Sequence, residues 1–259
     1  MKILDGELTI VITAHHARYL TEALLSVASQ TSKLFNLVCC ADVSYGLEAY
    51  KCFEEILPYI QCQKKLLLAI EGNGTAGFVR NIAFNNAETE WIGYLDGDDL
   101  LHIDTVNYIK GILQDPYYSD IDIFSSGMVR IHTDGQLEPI SDSLNYLPPL
   151  TIYENDPDTL KEPTYFNQFQ IIRKNAWRAY KYDETTNGED IDFMLHHLLM
   201  RHFKKIPKYL YYYRYTPNSF SSLSFTKGDI CTQRYANGYY IRLFKEEFSS
   251  IFINNFKKN

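Results

Sequence analysis

The first 115 residues alternate short apolar runs with stretches of helical periodicity, and this alternation limits the possible folds more than any other feature. Strands are predicted at Leu8–Ile12, Phe35–Cys40, Lys65–Ile70 and Trp91–Leu95. The intervening stretches repeat apolar residues at the spacing of a helix with one buried face. Because alternating strands and helices build parallel sheets with right-handed crossovers, the sequence predicts an α/β domain.

Composition excludes some classes of protein. The 259 residues are enough for one α/β domain with an elaborated C-terminal part. A net charge of −7 argues against a nucleic-acid partner, which normally requires a basic surface. The five cysteines include no C-x-x-C pair, so neither a disulfide framework nor a zinc knuckle is expected. With no signal peptide and no run long enough to span a membrane, we expect a cytoplasmic protein, with the inner face of the membrane as an alternative location.

Three carboxylates follow the fourth predicted strand, at Asp96, Asp98 and Asp99. The carboxyl ends of strands are where α/β sheets bind ligands. Three acids within four residues repel one another unless a cation neutralises them, and hard oxygen ligands suit Mg²⁺ or Mn²⁺. The sequence therefore predicts a divalent cation site able to hold a diphosphate, with an acidic turn between strand and helix as the alternative.

The second half of the chain changes character. A hairpin is predicted from Ile121–His132 through a Thr-Asp-Gly turn to a strand around Leu137. Residues 145–163 form either a substrate-covering loop or a disordered insertion. Further strands are predicted at Phe166–Ile172 and Leu210–Tyr215.

Three units of the chain follow from these patterns. Residues 1–115 form a first half, and residues 116–228 form a second half of the same domain. Residues 229–259 form a helical tail. We expect the tail to pack on its own domain, and the alternative is a peripheral membrane contact or a homo-oligomer contact.

Two helices carry charged residues with competing interpretations. Arg80 lies on a helix just before the acidic strand, where it is either a solvated helix charge or a phosphate-binding, pocket-lining residue. Glu189 and Asp190 open a later helix. Acids at a helix N-terminus stabilise the helix dipole by roughly 0.3–1 kcal/mol, and the alternative is that one of them is a catalytic base.

Three segments together resemble the family 2 glycosyltransferases. NGTAGFVRNIAF followed by WIGYLDGDD, within Asn73–Leu101, is similar to the family's Gly-rich turn, Arg-Asn helix and Asp-x-Asp strand. GEDIDF at Gly188–Phe193 is similar to its Glu-Asp motif, and YYYRYTPNSFS is similar to its C-terminal segment. The resemblance runs from about Leu8 to about Ser222. It departs from the family at Thr13-Ala14-His15-His16, where a Pro-x-Tyr-Asn-like turn is common, and at Ala41-Asp42, where paired acids are common.

The resemblance implies an inverting enzyme with a GT-A fold, a Rossmann-like and mostly parallel sheet flanked by helices, with a C-terminal acceptor-side extension. It implies transfer from a nucleoside-diphosphate sugar, with a UDP-sugar as the first candidate, to a hydroxyl of a glycan, a lipid-linked glycan or another acceptor. It would make residues 1–115 the nucleotide-sugar-binding half and residues 116–228 the acceptor-binding half that carries the catalytic base. Asp190 would be the general base and Glu189 would position the acceptor or the base, while Asp96, Asp98 and Asp99 would hold Mn²⁺ or Mg²⁺. The implied nucleotide-sugar contacts are Thr13, Ala14, His15, Asp42, Asn73, Arg80, Asp96, Gly97, Arg214, Ser219 and Ser221.

Two other classes compete with this interpretation. LDGDD superficially resembles the Asp-x-Asp nucleophile of haloacid-dehalogenase-like phosphatases, but that motif normally sits on the first strand, and here at least three strands precede it. A sugar-nucleotide-binding scaffold on a degenerate transferase fold is favoured by the altered nucleotide loops. The intact acids at 96, 98, 99 and 190 oppose it, and fold alone does not separate these functions.

Overall fold

The computed structural model describes residues 8–141, 169–185, 188–199 and 203–215. These residues form one sheet with helices packed on it. The described strands are β1 (Leu8–Ala14), β2 (Asn36–Asp42), β3 (Lys64–Ile70), β4 (Trp91–Asp96), β5 (Leu100–Leu101), β6 (Ile123–Ile131), β7 (Leu137–Pro139), β8 (Gln170–Arg173) and β9 (Phe203–Arg214). The described helices are α1 (Leu20–Ala28), α2 (Glu48–Ile56), α3 (Ala76–Asn86), α4 (Thr105–Leu113), α5 (Lys174–Ala179) and α6 (Glu189–Leu199).

The strands lie in the order β3-β2-β1-β4-β8-β6-β9-β5, with β7 beside β6. Strands β3, β2, β1 and β4 are parallel to their neighbours. Strand β8 is antiparallel to both β4 and β6, so β6 and its parallel partner β9 again run in the direction of β4. The predicted α/β class and mostly parallel sheet are confirmed, and the carboxyl ends of β1, β2, β4 and β9 meet at one edge.

Alternation along β1 places a core on each face of the sheet. Ile10 and Ile12 are fully buried in a cluster that includes Leu24 of α1. Val11, between them, belongs to a second cluster that includes Val79 of α3. Successive side chains of a strand point to opposite faces, so one continuous apolar run feeds both cores.

Strand β9 is longer than predicted. Periodicity indicated a start at Leu210, whereas the strand begins at Phe203 and pairs with β6 along its length. Pro207 lies within it, next to a shift in register opposite Gly127. A bulge tolerates a proline that a regular central strand excludes. The lysines and the proline of this segment interrupt its hydrophobic pattern, so the pattern did not predict a strand there.

Some predictions fall on parts of the chain outside the described residues. These are the loop at 145–163, the first residues of the strand predicted at Phe166–Ile172, the hydroxyl-bearing loop at 216–222 and the tail at 229–259. Within the described ranges, no helix combines the length and the apolar character needed to cross a membrane.

Gly77 brings α3 against the segment that leads into α6. A Cβ atom at this position would lie 1.9 Å from the backbone oxygen of Asp183. We expect Gly77→Ala to lower the free energy of unfolding by about 1–3 kcal/mol, because the backbone must move to admit the methyl group. Chemical denaturation measures this change.

Gly111→Ala is the matched control, because nothing lies within 4 Å of a Cβ atom at this position of α4. There the usual gain from alanine in a helix, up to about 1 kcal/mol, should appear. If both variants were stabilised, the close packing of α3 on Asp183 would be disproved.

Candidate active site

The turn after β4 lies against the end of β1. Thr13 is in register with Asp96, and its carbonyl accepts a hydrogen bond from the Gly97 amide at 3.0 Å. A Cβ atom at Gly97 would lie 2.7 Å from the Ala14 Cβ. Glycine is therefore needed for this close approach, and four of the predicted site residues come together here.

Asp99 anchors this turn to β9. Its side chain is buried, with Oδ2 accepting from the Tyr211 hydroxyl at 2.5 Å and Oδ1 accepting from the Arg214 amide at 2.6 Å. Burial, together with the charges of Asp98 and Asp96, raises the pKa of Asp99 well above its usual value. Both oxygens of Asp99 thus already accept hydrogen bonds from β9.

Asp98 and Asp96 are less enclosed. The Asp98 side chain is half-buried, and burial followed by the charge of Asp96 raises its pKa to about 6. Asp96 accepts hydrogen bonds at Oδ1 from the Tyr94 hydroxyl and from Arg80, the latter at 3.3 Å. The charge of Asp96 therefore raises the cost of ionising Asp98, which a nearby positive charge would relieve.

The donor set at this turn fits a divalent cation only in part. In the described parts of the chain, no group of three or more His, Cys, Asp or Glu side chains is arranged to hold a metal ion. Mg²⁺ is often bound through one or two carboxylates together with phosphate oxygens and water. Asp96 and Asp98 fit that pattern, in which a bound phosphate supplies the remaining ligands.

Arg80 lies at the centre of the charged cluster. It is 7% exposed, forms ion pairs with Glu189 and, at 3.3 Å, with Asp96, and lies over the rings of Tyr94 and Tyr182. The interpretation as a solvated helix charge is therefore wrong. Periodicity assigned the buried face of α3 to its apolar residues, whereas the side chain of Arg80 is enclosed by acids and tyrosines distant in sequence.

Glu189 and Asp190 differ in surroundings although they are adjacent on α6. Glu189 is buried, and burial raises its pKa to about 7 despite the opposing effect of Arg80. Asp190 is half-buried, and its charge adds to the upward shift at Glu189. Glu189 thus forms a buried ion pair with Arg80, while Asp190 is the more accessible of the two carboxylates.

Asp42 joins the ends of β2 and β3. It is buried, and its Oδ1 accepts from the backbone amides of Ser44 and Gly72, each at 3.0 Å. Asn73, in the following turn, donates to the Glu184 carbonyl at 2.9 Å. These contacts hold the loops beyond β2 and β3 in fixed positions around the same edge of the sheet.

Three aromatic rings lie beside Asp42. The centroids of His15, His16 and Tyr45 are 4.3 to 5.9 Å apart. Burial and the neighbouring His16 lower the pKa of His15, while Asp42 and Asp96 oppose this shift. Partly exposed rings of this kind offer flat surfaces to a planar ligand.

Arg214 closes the site on the side of β9. Its Nε donates to the Asp98 carbonyl at 3.0 Å, its guanidinium pairs with Glu22, and its Cζ lies 4.1 Å from the centroid of the Tyr19 ring. The predicted contacts Ser219 and Ser221 lie outside the described residues.

Sequence reasoning missed three tyrosines of the site. Tyr94 and Tyr182 lie against Arg80, and Tyr211 holds Asp99. Tyr94 was open to prediction, because residues two apart on a strand share a face and Asp96 is two residues later. Tyr182 and Tyr211 carry no local signal.

Sequence comparison relates the chain to known transferases. The family model described as Glycosyl transferase family 2 matches residues 9–180. The glycosyltransferase GlyA of Streptococcus pneumoniae serotype 4 is 25% identical over an alignment of 191 positions, which covers 69% of this chain and 25% of that protein. The teichoic acid poly(glycerol phosphate) polymerase of Staphylococcus epidermidis is 25% identical over an alignment of 258 positions, which covers 91% of this chain and 32% of that protein. The chain thus spans a quarter to a third of the length of these relatives.

Solved structures share the fold. S. aureus TarS in complex with UDP-GlcNAc superimposes with a TM-score of 0.65 at 18% identity, over 93% of this chain and 71% of that chain. The mannosyltransferase of Pyrobaculum calidifontis in complex with GDP-Man and Mn²⁺ gives a TM-score of 0.56 at 13% identity, over 84% of this chain and 59% of that chain. The GT-A fold expected from the sequence is confirmed.

Proposed function

Since the chain belongs to glycosyl transferase family 2, we propose that it moves a sugar from a nucleoside-diphosphate sugar to a hydroxyl of a glycan or glycoconjugate. The observation that carries this proposal is the buried Arg80, which pairs with Asp96 on one side and Glu189 on the other. That contact joins the acidic end of β4 to the start of α6. Leaving-group stabilisation and hydroxyl activation, the two demands of glycosyl transfer, would thereby share one site.

The donor side consists of the residues around β1, β2 and β4. Asp98, assisted by Asp96, would hold Mn²⁺ or Mg²⁺ against the diphosphate, and the cation would offset the charge that develops on the leaving group. We assign Asp99 to positioning this turn, because both of its oxygens accept hydrogen bonds from β9. The rings of His15 and Tyr45 beside Asp42 would take the base, and the UDP-GlcNAc complex of the structural relative TarS makes uridine the first candidate.

Asp190 would act as the general base on the acceptor side. The acceptor oxygen forms a bond to the anomeric carbon while its proton passes to the Asp190 carboxylate. The bond between the anomeric carbon and the phosphate oxygen breaks, and its electron pair leaves with the nucleoside diphosphate. Attack opposite to the leaving group inverts the anomeric configuration. Glu189, fixed by Arg80, would orient the start of α6 rather than take the proton.

The same proposal assigns a role to each of three segments of the chain. Residues 1–115 would bind the donor, residues 116–228 would bind the acceptor and supply the base, and residues 229–259 would form a helical tail. The acceptor classes remain a glycan, a lipid-linked glycan or another hydroxyl compound. A membrane or oligomer contact of the tail stays a prediction.

Nucleotide binding tests the donor side. We expect one of UDP, GDP, dTDP and CDP to raise the melting temperature with Mn²⁺ present, since a ligand at 100 times its dissociation constant adds roughly 2.7 kcal/mol. For a chain of this size that corresponds to a shift of about 5–10 °C. Asp98→Asn should abolish the metal-dependent part of the shift.

Glu54→Gln is the control, because this residue is exposed on α2, away from the site. It should respond to nucleotide as the wild type does. Unaltered metal-dependent binding in Asp98→Asn would refute the assignment of Asp98. Release of phosphate from small phosphoesters without nucleotide binding would favour the phosphatase, whereas binding without transfer would favour the scaffold.

A further inference from the structure

A cavity adjoins the proposed active site, between the start of α1 and the hairpin of β6 and β7. Its volume is about 390 Å³. We call it the hairpin cavity, and the described residues that line it are Arg18, Tyr19, His132, Thr133, Gly135, Arg214 and Tyr215. Of these residues, Arg214 also contacts the acidic turn after β4.

Two guanidinium groups share one aromatic ring in this cavity. The Cζ atoms of Arg18 and Arg214 lie 4.9 Å and 4.1 Å from the centroid of the Tyr19 ring. Arg214 pairs with Glu22, whereas Arg18 forms no ion pair with any residue that the structure describes. Two like charges held on one ring repel each other, so an anion between them would be bound favourably.

The hairpin next to the cavity carries its own group of polar contacts. Arg130 and His132 both contact one carboxylate, that of Glu138, at 3.0 Å and 2.9 Å. The Nε atom of Arg130 is buried and has no hydrogen-bond partner among the described residues. Two arginines, Arg18 and Arg214, therefore line the hairpin cavity, and Arg214 is the one that pairs with Glu22. The planar guanidinium fork matches the oxygens of a phosphate better than it matches a neutral sugar.

We propose that the hairpin cavity binds a phosphate group carried by the acceptor. The inference rests on the proposed glycosyl transfer, because it makes the cavity a subsite of that reaction. Arg214 contacts both the cavity and the Asp98 carbonyl, so a phosphate held there lies next to the proposed transfer centre. An acceptor bearing phosphate close to its reactive hydroxyl would be selected over a neutral glycan.

Inorganic phosphate is the probe for this site, and calorimetry or NMR titration measures its binding to the whole protein. We expect Arg18→Gln to weaken phosphate binding at least tenfold, while UDP with Mn²⁺ binds to this variant as to the wild type. Arg178→Gln is the matched control, since Arg178 is exposed on α5 and lines a different surface cleft. It should leave phosphate binding unchanged.

Competition between phosphate and UDP separates the two possible sources of a bound phosphate. Simultaneous binding of both ligands supports a separate acceptor subsite. Mutual exclusion, with no effect of Arg18→Gln, would mean that phosphate enters the donor diphosphate site and would overturn the proposal. If UDP binds and phosphate does not, the hairpin-cavity proposal fails and the donor assignment stands. If phosphate binding depends on Arg18 and no nucleotide binds, the proposed transferase function fails and the cavity remains an anion site.

Discussion

Asp190→Asn is expected to slow sugar transfer by about 10²–10⁴-fold, the usual contribution of a positioned general base. The amide keeps the size of the carboxylate but cannot accept the acceptor's proton. Asp190 is half-buried and lies beside Glu189, whose ion pair with Arg80 fixes the start of α6. Donor binding should therefore remain almost unchanged, because the proposed donor contacts lie on other elements.

Turnover with a competent acceptor and calorimetric titration with the nucleoside diphosphate measure the two halves of this expectation. A loss of nucleotide affinity as large as the loss of rate would mean that Asp190 supports donor binding and is not the base. Glu189→Gln is the informative neighbour. It removes the buried partner of Arg80, so we expect reduced stability and a smaller loss of turnover than in Asp190→Asn.

Most of the first half of the fold was predictable from sequence because β1, β2 and β4 are central and buried. A parallel strand covered on both faces must be apolar along its whole length, as in Leu8–Ala14, and this signal is local. Strand β9 has no such signal, since Lys204 and Lys208 are exposed on it and Pro207 interrupts it. Its position depends on pairing with β6, which lies about eighty residues earlier.

The candidate site likewise contains features that are local in sequence and features that depend on long-range contacts. The grouping of Asp96, Asp98 and Asp99 is visible in one short stretch of sequence. Their different environments cannot be predicted from that stretch, because the partners of Asp99 on β9 lie 112 and 115 residues away. Arg80 and Glu189 are likewise 109 residues apart. Contacts of this range depend on the packing of the whole sheet, which no local pattern encodes.

Arg80→Met should lower the free energy of unfolding by up to about 3–5 kcal/mol where Glu189 is ionised, and by less where Glu189 takes up a proton, because the change leaves Glu189 buried without its cation. The double variant Arg80→Met with Glu189→Gln should lose less than the sum of the two single changes. Contacting residues typically show a coupling of about 0.5–3 kcal/mol. Arg178→Met, at an exposed position, controls for the change of side chain and should leave stability nearly unchanged.

The pH dependence of unfolding identifies which buried charge causes the loss of stability in Arg80→Met. In the folded protein the pKa of Glu189 is about 7, above its ordinary value of 4.5. Between these two pH values Glu189 is therefore protonated in the folded state and ionised in the unfolded state. This contribution to stability is complete below about pH 4.5 and falls as pH rises to 7, by up to about 1.4 kcal/mol per pH unit. Without Arg80 the pKa of Glu189 rises further, so the fall should continue above pH 7 in Arg80→Met and vanish once Glu189→Gln is added. Urea denaturation from pH 5 to 8.5 tests this, and an equal loss of stability in Arg80→Met at every pH would show that Glu189 is not the charge that Arg80 neutralises.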